Sequence, residues 1–403
     1  MHIINIPEFI SKHITKRENS LFYKDLEKYS EILDQEIKGK SVLVIGGAGT
    51  IGSSFIKVLL SFEPSKLYVV DTNENGLTEL TRDLRSKSNL FIPDDFKTYP
   101  MNFGGPVFKK MFLNEGPFDI VANFAAHKHV RSEKDHYSIE AMLDNNVFKA
   151  MDFLDLLLEM PPSHFFCVST DKAANPVNVM GASKKLMEET IMAYSTDMKI
   201  TTARFANVAF SNGSLLDGYI QRIFKKQPIS CPSDVKRFFV SPEESGQICL
   251  LACILGQSGD VYFPKLHDDQ MVNFKQITID FFNEMDIQMN ICQSENEAKL
   301  KAASMSIEDP YPVYFFKSET SGEKLYEEFY TEVDEVDMTS YQGMGVIKNA
   351  KKPSKDQIVH CINELKTLMS SDDYDKAGIV DLMKKHLPDF EHIETGKGLD
   401  EKM

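Results

Sequence analysis

The turn Gly46-Gly47-Ala48-Gly49-Thr50-Ile51-Gly52 follows a short apolar run, Val42-Leu43-Val44-Ile45, and opens a helical stretch from Thr50 to Phe62 that Pro64 ends. It satisfies GxGxxG from Gly47 and GxxGxxG from Gly46, and the strand–turn–helix context gives that pattern its meaning. Glycines let the backbone turn tightly and approach a pyrophosphate, which exposed amides at a helix N-terminus then bind. Asp71, at the end of a second apolar run (Leu67-Tyr68-Val69-Val70), is placed to accept from an adenosine ribose 2′-hydroxyl. A carboxylate there repels a 2′-phosphate, and no Arg immediately follows, so NAD is expected over NADP. Gly46, Gly47, Gly49, Thr50, Ile51, Gly52 and Asp71 are the candidate dinucleotide-binding residues.

The alternation continues with a second helix at 75–87, an irregular stretch at 88–105, strands at 120–122 and 165–168 with a long helix (about 138–159) between them, a helix at 180–194 and a strand at 200–204. Strands and helices at this spacing predict an α/β fold, a Rossmann-type doubly wound parallel sheet. Residues 39–206 are assigned to it. An N-terminal helical extension (1–38) precedes it, with two or three amphipathic helices expected. A smaller substrate-binding region (207–345), interleaved with the sheet domain, and a polar, lysine-rich helical tail (346–403) with one good helix, Lys376 to His386, complete the chain.

The formal net charge of -15 opposes a nucleic-acid or anionic-membrane partner. Six scattered cysteines without a CxxC pair fit a reducing compartment. Cys249 and Cys253 sit in the longest apolar run, Ile248–Leu255, which is too short to cross a bilayer. His127 and His129 offer no third ligand at zinc spacing, and no metal is expected. No signal peptide is visible at Met1–Asn5. The expected location is cytoplasmic.

Ser169-Thr170-Asp171-Lys172 lies at the end of the 165–168 strand, and the carboxyl ends of parallel strands are where such sheets bind ligands. Asn178-Val179-Met180-Gly181-Ala182-Ser183-Lys184 opens the next helix. The pair of segments resembles the catalytic stretch of a short-chain dehydrogenase/reductase with one change: Met180 stands four residues before Lys184, where that superfamily places Tyr. A thioether cannot take a proton from an alcohol. An acid and an amine, Asp171 and Lys172, are left to run the proton chemistry. Small residues at Ala125-Ala126 would let a cofactor lie against the backbone, and His127 and Lys128 are either functional or ordinary loop residues.

These segments, together with Ala125-Ala126-His127-Lys128-His129-Val130 and Gly322-Glu323-Lys324-Leu325-Tyr326-Glu327-Glu328, resemble the signature blocks of the UDP-N-acetylglucosamine 4,6-dehydratase family, the CapD-like polysaccharide-biosynthesis branch of the extended short-chain dehydrogenases. The resemblance spans roughly residues 40–390. Met180 resembles the mark of the branch that retains configuration at C5. The resemblance implies oxidation at C4 with NAD as hydride acceptor, loss of water across C5 and C6, and return of the hydride to C6. It implies Lys172 as the C5 base and Asp171 as the acid for the leaving water; the sequence does not settle what removes the 4-hydroxyl proton, for which Asp171 is the economical candidate. Thr170 would contact the sugar near its 4-hydroxyl, and Lys184 would bind the nicotinamide ribose. Asn207, in Arg204-Phe205-Ala206-Asn207-Val208, and Arg237, in Arg237-Phe238-Phe239, would hold the nucleotide sugar. A guanidinium suits bidentate recognition of a diphosphate. Glu323 and Lys324 either face the nucleotide or serve structure alone.

Departures from the family pattern, among them Ala206 for Gly, Lys236 for Thr and Arg131 for Pro, fall mostly in loops facing the substrate and adenine. They bear on which sugar and base are bound. The expected protein is a homo-oligomeric, NAD-dependent 4,6-dehydratase of a nucleotide-activated N-acetylhexosamine, with UDP-N-acetylglucosamine the first substrate to consider. The rivals are a C4 epimerase or reductase on the same scaffold, both of which normally need the missing Tyr, and a non-catalytic NAD-binding protein.

Overall fold

Val42, Leu43, Val44 and Ile45 are all fully buried, as a central parallel strand covered on both faces requires. The computed structural model describes residues 4–129, 133–306, 308–318 and 327–393. Its strand β1 (Ser41–Ile45) pairs in parallel with β2 (Lys66–Asp71) on one side and β4 (Ile120–Asn123) on the other. β3 (Asp95–Pro100) lies beyond β2, while β5 (His164–Val168) and β6 (Ile200–Ala203) follow β4. Val261–Pro264 adds in parallel to β6, and Met344–Ile347 and Val336–Asp337 close that edge antiparallel, for nine strands. The chain winds outward from β1 in both directions. A crevice therefore opens outside the carboxyl ends of β1 and β4, at the topological switch point. This is the doubly wound Rossmann-type α/β fold.

Side chains alternate across the sheet with period two. Leu43, Ile45, Tyr68 and Val70 join a core built with helices Pro106–Glu115, Lys149–Glu159, Val179–Ala193 and Lys355–Met369. Val42, Val44, Leu67 and Val69 face the opposite core, which takes Phe55 and Ile56 from helix Thr50–Leu59 and Ile248 to Ile254 from helix Pro242–Leu255. The run around Cys249 is thus a buried core helix, and among the described residues no helix is long and apolar enough to cross a membrane.

Three helices and a π-helical segment occupy 6–37. Phe22, Leu33 and Ile37 enter the second core, whereas Phe9, Ile10 and Ile14 pack into a third core. That third core belongs to the smaller region, through Tyr219, Phe281 and Val313. Arg17, hydrogen-bonded to Glu244 at 2.8 Å, ties the extension to helix Pro242–Leu255. The extension packs on its own chain. In the smaller region Met289–Cys292, Tyr311–Phe316 and Ile229–Pro232 form a parallel three-stranded sheet.

Two expectations fail. The stretch 88–105 is not wholly irregular, because 95–100 is the edge strand β3. Its Asp-Phe-Lys-Thr-Tyr-Pro sequence is half-exposed and polar, without the apolar run that marks a buried strand. The tail also carries a second long helix, Lys355–Met369, set by the capping box of Ser354 and Gln357. Its apolar stripe (Ile358, Cys361, Ile362, Leu365) is hidden among lysines and glutamates in the sequence.

Candidate active site

Gly46 is the hinge of the dinucleotide turn. Its φ is +74°, and a Cβ on it would stand 2.5 Å from the Ala125 nitrogen. Only glycine serves where the backbone is both left-handed and in close contact. The loop after β4, with Ala125 and Ala126 partly exposed, therefore lies directly against the turn. Helix Thr50–Leu59 begins at Gly49 without a side-chain cap, which leaves the amides of Thr50, Ile51 and Gly52 at a positive helix end suited to phosphate. The Asp71 carboxylate accepts from the Ala48 N–H at 3.0 Å and the Asn73 N–H at 2.9 Å, and so is fixed beside the turn at the tip of β2. These residues fit a dinucleotide: a glycine cradle, free helix-end amides and a carboxylate one strand away. The Thr50 hydroxyl accepts from the Asn212 N–H at 2.9 Å, joining the turn to the smaller region.

The candidate acid–base segment is built at the end of β5. Thr170 is extended, and Asp171–Ala173 makes one 3₁₀ turn. Asn178 then caps helix Val179–Ala193 by accepting from the Gly181 N–H at 2.7 Å. A Cβ at Gly181 would come within 2.9 Å of the Lys172 carbonyl oxygen, so glycine lets that turn rest on the helix. Asp171, only 3% exposed, accepts from the Thr170 hydroxyl at 2.7 Å and from the Lys172 ammonium at 3.1 and 3.3 Å. The Lys172 side chain, one-third exposed, reaches toward solvent. Lys184 is buried one turn beyond Met180, its ammonium donating to the Val168 carbonyl at 2.8 Å. Burial lowers its pKa below the usual lysine range.

Behind this segment lies a buried charge network. Glu188 accepts from the Ser169 hydroxyl at 2.8 Å and from Arg204 Nε at 2.9 Å, with a second, short contact to the same guanidinium. Arg204 also donates to the Phe329 carbonyl at 2.8 Å. The guanidinium holds the Glu188 carboxyl down at about 2 although burial opposes it. In front lies a cavity of about 810 Å³ lined by Asp171, Lys172, Met180, Asn207, Arg237 and Lys128 among others. Six candidate residues from five chain segments thus line one cavity. The Lys128 ammonium donates to the Asn212 carbonyl at 3.3 Å, and partial burial lowers its pKa.

Other candidates fall elsewhere. His127 is not part of the cavity lining; its backbone is clamped by the Asn146 amide (2.8 and 3.0 Å), and burial with the nearby Lys149 charge lowers its pKa. Glu323 and Lys324 lie outside the described residues. The same block instead brings Glu327 to the cavity wall. Its Oε2 accepts from the Phe238 N–H at 2.7 Å, its Oε1 accepts from the Asn207 amide, and Arg237 Nε lies at 4.0 Å. Burial and the Asp171 charge push its pKa up to about 7. Sequence reading quoted Glu327 within its motif and gave it no role. Asn146 was missed outright: it sits in a π-helical segment, Asp144–Phe148, and donates to the Ser183 hydroxyl at 3.1 Å. The only available signal was the polar Asn145-Asn146 pair inside an apolar helix, since π-segments often mark functional sites.

The glycine turn and the Asp171–Lys172 pair both lie at the carboxyl ends of the parallel strands, where open α/β sheets bind their ligands. Residues 42–349 match the family model described as polysaccharide biosynthesis protein, and the chain belongs to that family. It is 34% identical over 250 residues to an uncharacterised membrane protein of Methanocaldococcus jannaschii, covering 60% of this chain and 72% of that protein. Capsular polysaccharide biosynthesis protein CapD of Staphylococcus aureus is 28% identical over 235 residues, 57% of this chain but 39% of its own length. A UDP-N-acetylglucosamine 4,6-dehydratase (inverting) of Campylobacter jejuni is 25% identical over 244 residues, 58% and 70% of the two chains. Among solved structures, Pen from Bacillus thuringiensis superimposes with a TM-score of 0.60 at 20% identity, over 81% of this chain and 98% of that one. DesIV, a dTDP-glucose 4,6-dehydratase from Streptomyces venezuelae solved with NAD and TYD, gives 0.51 at 17% identity over 61% and 81%.

Proposed function

We propose that this protein is an NAD-dependent 4,6-dehydratase of a nucleotide-activated N-acetylhexosamine, with UDP-N-acetylglucosamine the favoured substrate and C5 configuration retained. The observation that carries the reading is the Asp171–Lys172 ion pair at the end of β5, beside a buried Met180 where an alcohol-oxidising site needs Tyr. The dehydratase relatives and the family's place in polysaccharide biosynthesis support it. NAD, held by the glycine turn and Asp71, supplies hydride acceptance at C4 and hydride return at C6.

The protein's own part is proton transfer. Asp171 takes the 4-hydroxyl proton, with Thr170 orienting that hydroxyl. Neutralising Asp171 removes the anion that stabilises the Lys172 ammonium, and Lys172, open to water, releases its proton there. The neutral amine removes the C5 proton, acidified by the 4-ketone, while Asp171 returns its proton to the departing C6 oxygen. Lys172 then reprotonates C5 from the same face, which retains configuration. Lys184 binds the nicotinamide ribose end, and Arg237 and Asn207 hold the diphosphate and sugar.

Incubating a small panel of UDP- and GDP-hexoses in heavy water, with mass spectrometry of the products, tests this. The expected product has lost one water and carries one solvent deuterium at C5. A C4 epimer without deuterium at C5 would establish an epimerase instead. Bound NAD with no product from any sugar would establish a binding protein.

A further inference from the structure

The N-terminal extension precedes the stretch matched by the family model, residues 42–349, yet it packs directly behind the cavity. Phe9, Ile10 and Ile14 are each at most 2% exposed and share the third core with Leu216, Tyr219 and Phe239. Those last three residues also line the cavity. The π-helical segment Ile10–Thr15 ends at Lys16, whose φ of +53° is left-handed. The chain there turns Arg17 into the protein, with its side chain 13% exposed. Beyond Arg17 the extension belongs to the sheet domain. Phe22, Leu33 and Ile37 enter the second core, and Asp25 accepts from the Gln342 and Gly343 N–H groups at 2.8 and 2.7 Å.

Arg17 stands where these two halves meet. Its Nε and Nη2 donate to the two oxygens of Glu244 at 2.9 and 2.8 Å, the planar fork that a guanidinium offers a carboxylate. Glu244 is 2% exposed and, with Ser241, forms the capping box of helix Pro242–Leu255. That helix rests on the dinucleotide helix Thr50–Leu59, since a Cβ at Gly246 would come within 2.4 Å of the Ser54 carbonyl. Arg17 Nη2 donates a second time, to the Phe239 carbonyl at 3.3 Å. In the short parallel pair Asn207–Val208 and Phe239–Val240, the Phe238 and Val240 carbonyls accept from the Asn207 and Ala209 N–H groups at 3.2 and 3.0 Å. Successive carbonyls of a strand point to opposite edges, so the Phe239 carbonyl between them turns away from the pair and meets Arg17. A lysine would neutralise Glu244, but it lacks the fork that reaches carboxylate and carbonyl together.

We infer that Arg17 is a positioning residue for the substrate side of the cavity, and that the extension is a clasp setting how the wall bearing Asn207 and Arg237 stands against the dinucleotide helix. One guanidinium holds the edge of that wall at Phe239 and, through Glu244, the start of the helix packed on Thr50–Leu59. Asn207 is the register partner of Phe239, and Arg237 lies two residues before it. A shift of Phe239 therefore carries both groups with it. Asp171 and Lys172 sit on the turn after β5, outside this linkage. The loss should fall on binding of the nucleotide sugar, made equally in ground and transition states, and not on the proton transfers. The effect on substrate rests on the proposed dehydration, but the clasp does not.

Hydrogen exchange of the full-length protein, followed by mass spectrometry, tests the clasp, and kcat and KM for UDP-N-acetylglucosamine test its consequence. In Arg17→Lys, segments 205–210 and 237–241 should exchange about tenfold faster, the factor for one charge-assisted hydrogen bond, while 41–45 in the sheet stays protected. KM should rise by a similar factor, with kcat and bound NAD little changed. Leu33→Ala, in the other half of the extension, lowers stability through the second core and should leave those segments and KM as in wild type. Wild-type exchange in Arg17→Lys overturns the clasp. A KM that does not move, or that moves equally in Leu33→Ala, overturns the positioning role. If wild type dehydrates no sugar, the functional reading fails while the exchange still decides the clasp. Should Arg17→Lys not fold, the double variant Arg17→Met with Glu244→Gln, which strands no charge, should show the same two changes and decides in its place.

Discussion

Replacing Glu188 by Gln should cost this protein roughly 3 kcal/mol, and two independent routes lead to that figure. Glu188 and Arg204 are each 3% exposed, and removing one partner of a buried pair typically costs about 3–5 kcal/mol because the other charge is stranded. Alternatively, the Glu188 carboxyl is held at about 2 against an ordinary 4.5, a difference that corresponds to roughly 3 kcal/mol of preference for the ionised form when folded. A depressed carboxyl pKa stabilises the fold fully above its unfolded value near 4.5, and that contribution fades as pH falls toward 2. The gap between wild type and Glu188→Gln should therefore be full at pH 7 and shrink below pH 5. Urea unfolding followed by far-UV circular dichroism measures it; the chain has no Trp to report by fluorescence. A second variant separates the pair from its packing: Glu188→Gln with Arg204→Met should recover much of the loss, since a buried ion pair replaced by apolar volume is often neutral or better. A loss under about 1 kcal/mol, or a gap that does not change between pH 7 and pH 3, refutes the reasoning. Because Ser169 hangs on the same carboxylate at 2.8 Å, the substitution should also loosen the strand end that carries Thr170 and Asp171.

Two more substitutions probe the site itself. Lys172→Ala should lower product formation by about 10²- to 10⁴-fold, the usual contribution of a general base, while NAD stays bound when the protein is denatured and the supernatant chromatographed; undiminished turnover would remove Lys172 from the mechanism. Gly46→Ala, at φ +74° with its new Cβ 2.5 Å from the Ala125 nitrogen, should fold less stably by at least ~1–2 kcal/mol and lose copurifying NAD, and a variant that retains NAD stoichiometrically would show that the turn does not contact it.

The sheet was legible because its buried strands are continuous apolar runs, and the glycine turn because its spacing answers to one backbone geometry. Asp95–Pro100 was not legible for the converse reason: an edge strand with one covered side needs no apolar run, and this one is charged at Asp95 and Lys97. The reacting pair could be placed since adjacency in sequence and the end of β5 fix it together. Residues that reach the site from far along the chain gave little sign. Arg204 and Glu188 are sixteen positions apart, on different elements, and each reads alone as an unremarkable charge. Asn146 acts through a π-helical bulge that no apolar periodicity announces.

In the proposed mechanism Met180 decides which side chains are left to move protons. A tyrosine at that position would bring its own acidic hydroxyl, held by the adjacent Lys184, and the rest of the site could be left neutral. With a thioether in its place, the proposed mechanism gives the proton work to a carboxyl and an amine that form an ion pair, Lys172 on Asp171 at 3.1 Å. Something must shift the balance between them. In the proposed mechanism the substrate does so itself: its 4-hydroxyl proton neutralises Asp171 and removes the anion that holds the Lys172 ammonium. On this argument a Met180→Tyr variant, which carries an acidic hydroxyl one helix turn from Lys184, should depend less on Lys172 than the natural chain does, and comparing the rate lost to Lys172→Ala in the two backgrounds measures it.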